Sequence, residues 1–145
     1  MLVAIDGSKL ADKALDFALD LAKKCAAEVQ IVSVVPPVDS IIPRFSLAAP
    51  PKNIYDFFIN HVEDRLKKVL SEALNKAKRR EPKLRISTRL LNGRPAEKIV
   101  QWAKEEAFDI IVVGSRGLSG VNELLLGSVS NRIADTATCP VLIVK

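Results

Sequence analysis

Apolar residues form two kinds of pattern along the chain, and the two kinds alternate. Short stretches rich in apolar and β-branched residues predict five strands, at residues 2–5, 29–35, 84–90, 109–114 and 141–144. Apolar residues at helical spacing predict four helices, at about residues 9–26, 53–80, 95–106 and 128–137. Residues 84–90 alternate between apolar and polar side chains, which indicates a strand near an edge of the sheet.

The strict alternation of strands and helices predicts an α/β fold. We expect an open five-stranded parallel sheet with helices on both faces and right-handed crossovers. No internal repeat or domain boundary is visible, so residues 1–145 are predicted to form a single domain. In such sheets, ligands bind beyond the carboxyl ends of the strands, where the strand order switches direction.

Local signals refine three of the elements. Ser8 is a suitable N-cap for the first helix, and Pro95 fits the first turn of the third. The second helix is expected to turn one face inward, made up of Ile54, Phe57, Phe58, His61, Val62, Leu66, Val69, Leu70, Ala73, Leu74 and Ala77.

Residues 36–52 interrupt the regular order, because they hold five of the eight prolines and little periodicity. Long loops in compact domains are usually functional or disordered. The apolar residues Ile41, Ile42, Phe45 and Leu47 argue against a free linker, so we predict that the segment covers a pocket or a partner surface. In the loop after the fourth strand, residues 121–126 are predicted to form a short helical turn.

The clearest chemistry follows the fourth strand. Its apolar run ends at Gly114, and then come Gly117, Gly127 and Ser128, next to a predicted helix start. Glycines let the backbone approach a ligand closely and point several N–H groups in one direction. The helix N-terminus adds the positive end of its dipole, and Ser128 and Ser130 add hydroxyls. We therefore predict a phosphate-binding loop, with a purely structural turn as the alternative.

This loop differs from two common phosphate-binding motifs. No lysine follows the last glycine, as the P-loop would require, and the spacing is not that of the dinucleotide-binding fingerprint. The observed spacing, from Gly114 to Ser128, is G-x2-G-x9-G-S/T.

Composition narrows the function classes. Apolar residues make up 48% of the 145 residues, which suits one globular domain with a sizeable core. We find neither a membrane-length apolar run nor a secretory leader, so we expect a cytoplasmic protein without a membrane partner. The net charge of +5 favours anionic partners, but the few aromatic residues argue against stacking on single-stranded nucleic acid.

Few other side chains offer separate chemistry. Cys25 and Cys139 lack C-x-x-C spacing and lie among apolar residues, so we predict two reduced core cysteines. His61 is the only histidine, and we predict a partly buried structural residue rather than a metal ligand. The basic run 76–83 is interpreted as a solvated helix end, with nucleic-acid binding as the alternative. Arg94, in the turn before the third helix, is a candidate for contact with an anion.

Taken together, these features resemble the universal stress protein family. The resemblance covers essentially the whole chain and rests on VAIDGS at 3–8, the glycine spacing and CPVLIV at 139–144. Members that carry the glycine motif bind ATP, and this chain has the motif complete. The resemblance implies a Rossmann-like fold of the adenine nucleotide alpha hydrolase type, with strand order 3-2-1-4-5. The chain lacks the family's usual short basic lead, which leaves open a longer natural N-terminus.

The resemblance assigns the nucleoside to the exits of three strands. Ala4, Ile5 and Asp6 would line the adenosine side of a cleft. Asp6 would also reach the ribose or a phosphate-bound cation, although a carboxylate that only supports the helix start is the alternative. Val34 would meet the adenine through its backbone, and Val113 would belong to the same wall.

The resemblance assigns the phosphates to the glycine loop and the last helix. The ribose and phosphates would be wrapped by Gly114, Arg116 and Gly117. Backbone N–H groups and hydroxyls would reach the phosphates from Gly127, Ser128, Val129 and Ser130. For Arg116 the alternative is an ordinary solvent-exposed loop residue.

The residues offer little for catalysis, because no nucleophile–base pair is apparent and Asp6 is the only carboxylate we can place near the phosphates. We hypothesise a sensor or switch module in a stress response that binds ATP, ADP or AMP, with Mg²⁺ or Mn²⁺ accompanying the phosphates. The alternatives are a slow metal-dependent ATPase and a basic nucleic-acid-associated stress protein. The resemblance also implies a homodimer through residues 141–144, whose apolar edge would need cover, and an unidentified downstream protein partner.

Overall fold

A computed structural model describes residues 1–37, 52–118 and 126–145. The strands are β1 (Leu2–Ala4), β2 (Val29–Val35), β3 (Ile86–Asn92), β4 (Ile111–Gly114) and β5 (Val141–Val144). The helices are α1 (Lys9–Cys25), α2 (Lys52–Arg80), α3 (Pro95–Glu105) and α4 (Ser128–Thr136). The predicted alternation of strands and helices is confirmed.

The sheet is parallel, with strand order β3-β2-β1-β4-β5, as the family resemblance implied. β1 lies in the middle, and Val3 is paired with Ile31 on one side and Val112 on the other. The exits of β1 and β4 are therefore neighbours. β3 lies at an edge of the sheet, which confirms the interpretation of its alternating pattern.

Helices cover both faces of the sheet because its strands carry apolar residues on both sides. On one face, α1 and α2 bury residues such as Leu15 and Leu70 against Val3 and Ile31. On the other face, α3 and α4 bury Ile99 and Ile133 against residues such as Val32 and Val113. The strand ends are left open between these two helical layers.

The register of the sheet explains where the strand boundaries differ from the prediction. β3 begins at Ile86 and continues to Asn92, because each of these residues pairs with one of β2. Asn92 pairs with Val35, and the turn before the third helix comes at Gly93, whose φ is 131°. β4 begins at Ile111, where the pairing with both neighbours starts.

Three residues of α2 that we had placed on its inward face are exposed. Phe57 is 67% exposed, Phe58 is 40% exposed, and His61 is exposed and stacks on Phe57 with ring centroids 6.3 Å apart. The prediction of a partly buried His61 is therefore wrong. The reason is length: a helix of 29 residues is longer than the seven-residue strands it packs on, so its first turns extend beyond them.

The burial of the cysteines also differs from the prediction. Cys25 is exposed, because it is the last residue of α1 and the chain turns away at Ala26, whose φ is 50°. Cys139 is half-buried and packs against the layer of α3 and α4. Both thiols are free, but only Cys139 contributes to the core.

Two predictions fall largely on residues outside the described ranges. They are the cover formed by Ile41, Ile42, Phe45 and Leu47, and the helical turn at 121–126, of which Leu126 alone is described and is not helical. Among the described residues, no helix combines the length and the apolar character needed to cross a membrane.

Candidate functional site

A cavity of about 530 Å³ opens beyond the carboxyl ends of β1, β2 and β4. All twelve predicted site residues lie in its wall: Ala4, Ile5, Asp6, Val34, Val113, Gly114, Arg116, Gly117, Gly127, Ser128, Val129 and Ser130. A wider depression of about 790 Å³ lies at the opposite ends of the strands and contains none of them. The strand order thus gathers distant parts of the sequence at the place expected for ligands of such sheets.

One side of the cavity is apolar. Val32 and Val34 of β2, Val113 of β4 and Ile99 of α3 line it, and all four are at least nine-tenths buried. The nearby Ser33 hydroxyl donates a hydrogen bond to the carbonyl oxygen of Ile5 at 2.8 Å, so its donor is already used within the protein. This side is suited to a flat, largely apolar group such as a nucleobase.

Another part of the wall is formed by the N-terminus of α4. The N-cap is Gly127, which offers no side-chain acceptor to the first turn. The N–H groups of the first turn have no acceptor within the helix, and Ser128, Val129 and Ser130 line the cavity. Together with the positive end of the helix dipole, these groups can bind an anion such as a phosphate.

Two groups predicted to serve the phosphates bind within the loop instead. The N–H of Gly127 donates to the carbonyl oxygen of Ser115 at 2.8 Å. The Ser130 hydroxyl lies 2.8 Å from that same oxygen and 3.0 Å from the carbonyl oxygen of Gly127. In this structure, Ser128 is therefore the residue of the first turn whose hydroxyl is not engaged by another described group.

The glycines of the loop allow three close approaches. A Cβ at Gly114 would lie 2.8 Å from the carbonyl carbon of Leu10, so this glycine lets β4 contact the first turn of α1. A Cβ at Gly127 would lie 3.3 Å from the Arg116 Cα. A Cβ at Gly117 would overlap the Asp6 carboxylate. The motif therefore shapes the site through contacts between segments as well as through exposed backbone.

Asp6 joins the exits of β1 and β4. One carboxylate oxygen accepts a hydrogen bond from the N–H of Ser8 at 2.9 Å, and the other accepts one from the N–H of Leu118 at 3.2 Å. Asp6 thus supports the start of α1 and also lies in the cavity wall. It is the only carboxylate among the described lining residues, which also include the guanidinium groups of Arg65 and Arg116.

The model of the universal stress protein family matches residues 1–145. This chain belongs to the universal stress protein family. Universal stress protein YxiE from Bacillus subtilis is 43% identical over 148 residues, which span all of this chain and 97% of the relative.

Solved structures agree with the fold of this universal stress protein. UspA from Lactobacillus plantarum matches it with a TM-score of 0.79 at 22% identity, over 99% of this chain and 95% of the other. Another universal stress protein, solved in complex with cAMP, matches with a TM-score of 0.67 at 29% identity, over 99% of this chain and 94% of the other.

Sequence reasoning missed the part that α2 plays in the cavity of this universal stress protein. Val62, Arg65 and Leu66 line it, opposite the layer of α3 and α4. The apolar pattern of the second helix predicted that Val62 and Leu66 face inward. It could not show whether such a residue packs in the core or lines a cavity. The other missed lining residues are Ala11, Val32, Ser33, Pro36, Pro95, Ile99 and Leu118.

Arg94, the other candidate for an anion contact, lies outside the described lining. It is exposed, and its guanidinium group lies 3.7 Å from the carboxylate of Glu97. Within residues 1–37, 52–118 and 126–145, no group of three or more His, Cys, Asp or Glu side chains is placed to hold a metal ion.

Proposed function

We propose that this universal stress protein binds an adenine nucleotide, preferably ATP, in the cavity beyond β1, β2 and β4. The observation that carries the proposal is that one cavity combines apolar lining residues with the open N-terminus of α4. An adenine nucleotide has the matching character, since its base is flat and its phosphates are anionic. The related universal stress protein solved with cAMP adds support, since cAMP is itself an adenine nucleotide.

The proposed orientation follows from the two sides of the cavity. The adenine would lie against Val34 and Val113, with the ribose next to Asp6. The phosphates would reach the N–H groups of Ser128 and Val129 at the start of α4. Arg116, half-buried in the wall, would add a guanidinium group to the same phosphates.

We propose Mg²⁺ or Mn²⁺ as a companion of the phosphates. Such ions are often held by one or two carboxylates together with the phosphates of a substrate. The Asp6 carboxylate is the described side chain in the wall that fits this role. Bound there, the ion would supply positive charge, while Asp6 would position the phosphates relative to the loop.

We propose that nucleotide binding acts as a switch in a cytoplasmic stress response. The Asp6 carboxylate holds the loop through the N–H of Leu118. A ribose hydroxyl or a cation that engages the same carboxylate would compete with this hydrogen bond. The loop would then change position and move the exposed Leu118 side chain. A partner protein that binds this surface would detect the change.

The first test is chemical analysis of nucleotide released on denaturing freshly purified protein, followed by calorimetric titration with ATP. We expect the variant Gly127→Val to lose binding, because a side chain there would meet the backbone of Ser115 and Arg116. Ala134→Val is the matched control, since it lies on the exposed side of the same helix. If no nucleotide is released, and ATP neither binds nor raises the melting temperature, the proposal fails.

Two alternatives give different results in the same experiments. More than one equivalent of ADP per chain in excess ATP and Mg²⁺ would make the protein a slow ATPase. The nucleic-acid alternative relies on residues 76–83, but Lys76 and Arg80 lie 3.0 and 2.9 Å from the Asp16 carboxylate on α1. This part of the basic run is therefore occupied in joining two helices.

We also propose that the protein is a homodimer that pairs along β5. β5 lies at an edge of the sheet, and each of its four residues is partly exposed, whereas every residue of its neighbour β4 is buried. An apolar edge strand of this kind is prone to pair with another strand.

A further inference from the structure

The part of α2 that lines the cavity carries a positive charge. Val62, Arg65 and Leu66 are three and four residues apart, so they lie on one side of the helix. Leu66 is 2% exposed and continues into the core, whereas Arg65 is exposed at the rim. One turn later, Val69 contacts the exit of β1, since a Cβ at Gly7 would lie 3.1 Å from its Cγ2. Arg65 is thus placed where α2 passes the nucleotide cavity.

Several other cations of α2 are engaged by carboxylates. The Lys67 ammonium lies 2.7 Å from Glu63, and the Arg80 guanidinium lies 2.7 Å from Asp20. Arg65 forms no ion pair with a carboxylate of the described residues. Within that part of the chain, Arg65 lines the cavity, and no carboxylate neutralises its charge.

The charge of the cavity wall favours a ligand with several negative charges. Among the described lining residues, Arg65 and Arg116 carry positive charge and Asp6 carries negative charge. The N-terminus of α4 adds partial positive charge from the opposite face of the sheet. Two guanidinium groups on separate elements can bind phosphate oxygens from two sides, each with paired N–H groups.

We infer that Arg65 is a specificity-determining residue that binds the phosphates from α2, so that affinity rises with the number of phosphate charges. The inference rests on the proposed nucleotide binding and adds to it a preference for di- and triphosphates over the nucleoside. Arg65 has this role because it is the cation of α2 at the cavity. Arg79, near the other end of the same helix, is exposed and lies outside the described lining.

The test is a calorimetric series with ATP, ADP, AMP and adenosine, applied to the wild type, Arg65→Gln, Arg65→Lys and Arg79→Gln. We expect Arg65→Gln to weaken ATP binding about five- to tenfold and adenosine binding less than about twofold, as for a partly screened charge-assisted hydrogen bond. Arg65→Lys should recover part of the loss, because it keeps the charge but not the paired geometry. Arg79→Gln removes the same net charge and should bind all four ligands as the wild type does.

Two results would overturn the inference while leaving nucleotide binding intact. One is an equal loss for ATP and adenosine, which would place Arg65 on the nucleoside. The other is wild-type affinity of Arg65→Gln for ATP. A wild type that binds none of the four ligands would instead overturn the proposed function, and this inference with it. Circular dichroism and melting without ligand check that each variant is folded.

Discussion

The carboxylate of Asp6 accepts a hydrogen bond from the backbone N–H of Leu118, which lies 112 residues further along the chain. Its other oxygen accepts from the N–H of Ser8. One side chain therefore fixes both the start of α1 and the loop that follows β4. Because it lies in the cavity wall, any ligand group that engages this carboxylate acts on the loop directly.

We predict that Asp6→Asn loosens the loop. The amide keeps one acceptor oxygen but presents N–H donors on its other side, so it cannot accept from Ser8 and Leu118 in the same way. The loss of a hydrogen bond worth about 1 kcal/mol corresponds to about fivefold faster exchange of the Leu118 amide. Hydrogen–deuterium exchange by NMR measures this. The amide of the buried Ala103, in the last turn of α3, serves as the internal reference, and unchanged protection of Leu118 would contradict the prediction.

We predict that Gly114→Ala destabilises the fold more than Gly127→Ala. The new methyl group at 114 would lie 2.8 Å from the backbone of Leu10, whereas the one at 127 would lie 3.3 Å from the backbone of Ser115 and Arg116. Relieving the first contact requires the backbone of α1 to move, at about 2 kcal/mol against about 1 kcal/mol for the second. Thermal unfolding should show a melting temperature lowered by about 8 °C and about 4 °C, respectively. Equal shifts, or the reverse order, would refute this account of Gly114.

We predict that Ile143→Lys converts the proposed dimer to a monomer. Ile143 lies in the middle of the edge strand β5 and is partly exposed, and a lysine on an edge strand opposes pairing with another strand. Sedimentation equilibrium of both proteins measures the mass. Ser87→Lys, on the other edge strand β3, is the control and should sediment as the wild type does. A wild type that is monomeric at working concentrations would exclude pairing along β5.

Much of the fold was predictable because the apolar patterns of buried strands and of helices differ in period. The order of the strands was not predictable from these patterns, since the sequence of β1 does not indicate that both β2 and β4 pair with it. That order came from the resemblance carried by segments such as 139–144. Once it is fixed, residues as distant as Asp6 and Ser128 have to meet at one cavity.

The errors have a common physical origin in the ends of helices. A helical pattern shows which side turns inward, but not where the helix passes the end of the sheet. His61 lies near the beginning of α2, and Cys25 lies at the end of α1. Both belong to the apolar side of their helix, but at these positions the helix has no packing partner, so both side chains are exposed. For the same reason, the position of Arg65 at a cavity could not be derived from its sequence neighbours.

The central position of β1 has a consequence for the protein during its synthesis. Leu2 leaves the ribosome before its partner Ile111 on β4, which follows more than a hundred residues later. Until then, one side of β1 has no neighbouring strand, and Asp6 has no Leu118 N–H to accept from. A nascent chain that stops short of β4 therefore lacks nine of the 22 described lining residues of the cavity. On the proposed function, nucleotide in the cell would stabilise only chains that have grown past this point, and so it would favour finished molecules over partial ones.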